Sequence, residues 1–121
     1  MCEATMSDTI DTVFEWKSSG NYESNKCRIR IYWLTWDKAI VIATDLGDHF
    51  GHQIANATKE IISFATDFYH LAPNKTMLVE HYIKDDLSNE DTYLQVLLVN
   101  NEPIRFEMAK SKLIKLIGRE I

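Results

Sequence analysis

The segment from Ala39 to Tyr69, AIVIATDLGDHFGHQIANATKEIISFATDFY, decides the fold. Its first part, Ala39 to Thr44, is apolar at odd and even positions alike, and a strand apolar on both faces needs cover on both, as an interior strand has. The next stretch, DLGDHFGH, is rich in Asp, Gly and His and breaks the apolar run. From His52 onward the period changes from two to 3.6. Ile54, Thr58, Ile61, Ile62, Ala65, Phe68 and Tyr69 fall on one stripe, while Gln53, Asn56, Lys59, Glu60, Ser63 and Asp67 fall mostly opposite, which predicts a long amphipathic helix. Strand, loop and helix together form a crossover that can pair the strand ending at Thr44 in parallel with a later one.

On the N-terminal side, Cys27, Ile29, Ile31 and Trp33 alternate with Arg28, Arg30 and Tyr32, the pattern of a half-buried strand. Thr35 to Lys38 is short enough for a hairpin loop into the central strand. Ile10 to Lys17 (IDTVFEWK) carries aromatic and β-branched residues with partial alternation and reads as a first strand, closed by the turn-rich SSGNYESN. On the C-terminal side, Pro73 and Asn74 stop the helix, and Met77 to Ile83 reads as a strand followed by the polar loop KDDLSNED. Thr92 to Val99 is a further buried strand. Asn100-Asn101 suits a tight turn because Asn tolerates positive φ, and Ile104, Phe106 and Met108 alternate with Arg105 and Glu107 on the returning strand. A short helix from Lys110 to Ile117 meets Gly118, which suits a left-handed cap.

This order predicts an α+β two-layer sandwich: a mixed, mostly antiparallel sheet of five or six strands, one long helix on one face and a short C-terminal helix. The sheet's other face is expected to be partly solvated or covered by a partner. Residues 1–9 are expected to form a flexible N-terminus, with Met1 or Met6 as the start, and residues 10–121 a single domain. A chain of 121 residues supports one core of ordinary size.

The formal charge of −5, with 13 Lys and Arg against 18 Asp and Glu, opposes a protein that binds nucleic acid mainly through phosphates. Lys110, Lys112, Lys115 and Arg119 crowd the C-terminus, where they complement the helix dipole. Two cysteines, Cys2 and Cys27, do not make a disulfide framework, and no apolar run reaches the length of a membrane span. A cytoplasmic protein is expected.

Chemistry-bearing side chains gather in one place. Asp45, Asp48, His49 and His52 lie in the strand-to-helix loop. Glu80 and His81 sit on the later strand, near the carboxyl end that a parallel pairing would bring beside Asp45, where crevices form in sheets with parallel strands. As strand neighbours, Glu80 and His81 point to opposite faces, so only one can join the loop. These six residues are the candidate ligand-binding set. The spacing is not that of a helical zinc motif, and the loop has neither phosphate-binding glycine pattern. No metal and no cofactor are expected. The aromatic side chains Tyr32, Trp33, Trp36 and Tyr93 exceed what one helix would cover and are the candidate interface set.

Ile42, Ala43, Thr44, Asp45, Gly51, Ile54, Asn56, Ala57, Glu80, His81 and Tyr82 together resemble the central part of a set of small uncharacterised bacterial α+β proteins. Those proteins run apolar strand, acidic residue, Gly, an Ile-x-Asn-Ala helix start and a later Glu-His-Tyr strand. The resemblance spans Arg28 to Gly118 and implies a bacterial or mobile-element origin, with no function attached. The loop residues Asp48-His49-Phe50-Gly51 depart from the Asn-Pro-Gly turn of that pattern. The functional expectation is a non-catalytic protein-interaction or regulatory module, a homodimer with a further protein partner. The alternative is a small enzyme or ligand-binding domain using the Asp45 to His52 loop with Glu80 or His81.

Overall fold

The structure is a computed structural model that describes residues 9–17, 24–45, 52–81, 93–119 and 121. Six strands form one sheet: β1 (Thr9–Lys17), β2 (Ser24–Trp33), β3 (Ala39–Asp45), β4 (Thr76–His81), β5 (Tyr93–Val99) and β6 (Glu102–Ala109). They lie side by side in chain order. Every neighbouring pair is antiparallel except β3 and β4, which run parallel because the helical segment carries the chain back across the sheet. The α+β class and the mixed, mostly antiparallel sheet are those the sequence predicts.

The crossover helix comes in two pieces, α1 (His52–Asn56) and α2 (Thr58–Tyr69), rather than one. Ala57 between them has φ −106° and ψ 15°, and its N–H donates to the Ile54 carbonyl in a tight turn. The Thr58 hydroxyl donates to the Ala55 carbonyl at 3.0 Å, a local bond that competes with the regular helical ladder. At the other end His70 takes the left-handed conformation, and its N–H and that of Leu71 bond back to Thr66 and Ala65. The helix therefore ends on a backbone cap before Pro73 is reached.

Two apolar clusters lie on the two faces of the sheet. On the first, α1 and α2 bury Ile54, Ala57, Ile61, Ile62 and Ala65 against Ile29, Ile31, Val41, Ala43 and Leu78. On the second, Ile40, Ile42, Val79, Leu94 and Val96 meet Leu113 and Ile117 of the C-terminal helix α3 (Lys110–Ile117). The short helix thus covers part of the face that was expected to be solvated or partner-covered, and β3 is apolar on both faces because each lies under a helix. The remainder of the second face, over β1 and β2, is charged: Arg28 pairs with Asp11 and Lys26 with Glu15. Asn100 and Asn101 join β5 to β6 with φ of 52° and 69°, and Gly118 closes α3 at φ 83°, as their residue types predict. Among the described residues, no helix is long and apolar enough to cross a membrane.

Candidate functional site

The parallel pairing sets Ala43 beside Glu80 and Thr44 beside His81 at the carboxyl ends of β3 and β4. Period-two alternation then separates the two titratable neighbours. Glu80 shares the face of Leu78 beneath the crossover helix, and His81 that of Val79. Both are withdrawn from solvent, at 1% and 7% exposure. His81 Nδ1 lies 3.1 Å from the hydroxyl of Thr44, itself buried, and the tautomer decides which group donates. This bond ties the two parallel strands together at their ends.

Of the loop candidates, Asp45 ends β3 opposite Cys27 of β2, and His52 opens α1. Asp48 and His49 lie outside the described residues. The structure therefore brings Asp45, Glu80 and His81 to one end of the sheet and divides Glu80 from His81 between its faces. Among the described residues no three His, Cys, Asp or Glu side chains gather to hold a metal.

The described concavities are elsewhere. A groove of about 600 Å³ runs between α2 and the β5–β6 hairpin, with Leu97 and Leu98 among its lining and Lys59, Glu60, Asn101 and Arg105 around it. It continues along α2 into a second hollow of about 420 Å³ that shares Thr58, Lys59, Leu98 and Asn101. The apolar lining arises from a bulge. Leu78 of β4 pairs with Leu98 but the next residue, Val79, with Val96, so Leu97 is an extra residue against β4 and both leucines join the cluster on the helix side. The continuous apolar run Val96 to Val99 concealed this, because a bulge leaves no polar mark in such a run.

The four candidate interface aromatics do not share a surface. Tyr32 is 4% exposed, and the Arg119 guanidinium lies 5.3 Å from its ring centroid. Trp33 is half-buried against the helix-side cluster. Trp36 is 85% exposed in the β2–β3 turn, and Tyr93 is 60% exposed at the start of β5. The turn bearing Trp36 is fastened by Lys75 to Asp37 at 2.6 Å, a hydrogen bond that holds the Asp37 carboxyl below the usual carboxylate range.

Two apolar features were not singled out from sequence. Phe14 stacks with Trp16 at 5.7 Å and meets Phe64 at 4.8 Å, and Phe64 in turn meets Phe68 at 5.0 Å. At the other end of the sheet, every residue of β6 from Glu102 to Glu107 is exposed, Ile104 and Phe106 among them. The alternation of Ile104, Phe106 and Met108 was legible. Its burial was not, since that depends on how far α3 reaches across the face. Comparison with protein-family models, with curated proteins and with solved structures finds no match for this chain.

Proposed function

We propose that this chain is a non-catalytic protein-interaction or regulatory module that presents the outer edge of β6 to another polypeptide. The observation that carries this reading is the run from Glu102 to Glu107, exposed at every position in a strand with one neighbour in the sheet among the described residues. An edge strand offers main-chain N–H and C=O groups as a template, and β-strand addition uses such an edge to take up an extended segment. The groove beside α2 supports the reading, because Pro103 and Arg105 of the same strand line it together with Leu97 and Leu98. Main-chain hydrogen-bonding groups and an apolar floor thus lie on one side of the molecule. A cytoplasmic setting and a bacterial or mobile-element origin belong to the same proposal. The acidic composition and sparse cysteines support the first, and the resemblance carried by the Asp45, Asn56-Ala57 and Glu80-His81 segments supports the second.

A photo-reactive phenylalanine analogue placed at Phe106, and separately at Val13 of β1 as the comparison, tests the reading in cells that make the protein. Polypeptide adducts should form at Phe106 and much more weakly at Val13. Absence of adducts at Phe106, or equal yields at the two positions, would refute a recognition role for this edge.

A further inference from the structure

We infer that the polypeptide taken up by β6 is β6 of a second copy, paired antiparallel about a twofold axis that passes midway between the two Phe106 residues. The inference rests on the edge-recognition reading above and adds the identity of the occupant.

A twofold axis perpendicular to the sheet keeps like faces together, and directly opposed residues in an antiparallel pair are close neighbours on one face. Centred on Phe106, the pairing sets Arg105 opposite the partner's Glu107 and Glu107 opposite the partner's Arg105. On the other face Phe106 meets the partner's Phe106, and Ile104 meets the partner's Met108. Each interaction on one half is repeated on the other, as an isologous contact requires. Opposite charges and apolar side chains fall into separate faces, and both are matched.

The neighbouring registers lack this property. Centred on Arg105, the two guanidinium groups face each other and Glu107 meets Pro103. Centred on Glu107, the two carboxylates face each other. Like charges directly opposite destabilise a strand pair, so of these three registers the sequence of β6 favours the one centred on Phe106.

The charges are also available. Among the described residues Arg105 and Glu107 enter no ion pair, and both are exposed. The first strand cannot form the equivalent contact. Self-pairing of β1 about Val13 would set Asp11 against the partner's Glu15, and both carboxylates already have partners on β2. Pro103, the residue on β6 that blunts an edge, lies at its beginning and leaves Ile104 to Ala109 able to pair.

The test is a charge swap read by light scattering or sedimentation across a wide dilution series. The wild-type chain should be a concentration-dependent dimer. Arg105→Glu alone sets like charges opposite each other twice and should weaken the dimer at least tenfold. Arg105→Glu combined with Glu107→Arg restores both pairs in the same register and should return the dimer to near its wild-type strength. Circular dichroism of each variant, all altered at exposed positions, checks that the fold is kept. A wild-type chain that stays monomeric at every concentration overturns the inference, as does a dimer indifferent to Arg105→Glu or one that the double variant fails to restore. A monomer that still forms adducts at Phe106 with a different protein would overturn the self-pairing alone and leave the edge-recognition reading intact.

Discussion

Strands β1 and β6 occupy the two ends of one sheet and differ in where their charges go. Asp11 accepts two hydrogen bonds from Arg28, at 2.9 and 2.6 Å, and Glu15 lies 3.3 Å from Lys26, so the acids of β1 are paired with the adjacent strand. Arg105 and Glu107 of β6 have no such partners among the described residues. The faces differ as well. Phe14 and Trp16 of β1 pack on the helix-side cluster, whereas Ile104 and Phe106 of β6 are 36% and 40% exposed, beyond the reach of α3. An edge whose charges are internally matched has little to offer a new strand. An edge with unmatched, alternating charge and exposed apolar side chains offers both specificity and contact area.

The largest expected effect comes from removing what holds β6 in place on its inner side. Leu113 of α3 is fully buried against the second face of the sheet. Leu113→Ala deletes buried carbon and leaves a cavity, which costs about 2–5 kcal/mol at such sites. A shift of the urea midpoint should report this loss. Hydrogen exchange should report where it falls, with β6 amides losing protection before those of β1. Simultaneous loss at both edges would make the sheet one cooperative unit and remove the energetic side of the contrast.

How far this contrast was legible from sequence differs by element. The central strand was legible because Val41 and Ala43 meet one helix while Ile40 and Ile42 meet another, so apolarity at every position carried the topology. Asn100, Asn101 and Gly118 were legible because positive φ restricts the residue types that adopt it. The interruption at Ala57 was not, since alanine favours a continuous helix and the hydroxyl-to-carbonyl bond from Thr58 that accompanies the break is one that any Thr in a helix can make or omit. The same holds at the candidate site. The division of Glu80 from His81 follows from the two-residue period, but the Thr44–His81 bond depends on a register between strands far apart in sequence.

A smaller effect is expected at the turn that sets the β6 register. Asn101 has φ 69°, where a side chain with a Cβ and no local hydrogen bonding is disfavoured. Asn101→Ala should cost about 1–2 kcal/mol, the ordinary penalty of the left-handed region for an L-residue. Asn101→Gly should be neutral or slightly stabilising, because the Asn-Gly pair suits this two-residue turn. Thermal unfolding of the two variants separates them. Equal destabilisation by both would mean that Asn101 acts through the groove it lines rather than through its backbone.

The smallest effect, and the one that tests the other side of the comparison, is at Asp11. The hydrogen bond from Arg28 holds the Asp11 carboxyl below the usual carboxylate range, and the same bond raises the Arg28 guanidinium. A depressed value in the folded chain means that folding favours the ionised carboxylate. The contribution is therefore fully present above the ordinary aspartate range near pH 4 and is lost as pH falls through the lowered value. Both side chains are about half exposed, 46% for Arg28 and 49% for Asp11, so solvent screens the pair. Asp11→Asn should cost no more than about 1 kcal/mol at neutral pH. Urea midpoints of wild type and Asp11→Asn should differ at pH 7 and converge in strong acid, and high salt should narrow the gap. The same substitution should leave the oligomeric mass unchanged, because the pair it breaks lies within one chain. A change in mass on Asp11→Asn would show that the β1 edge also takes part in association, and the division of roles between the two edges would fail there rather than at β6.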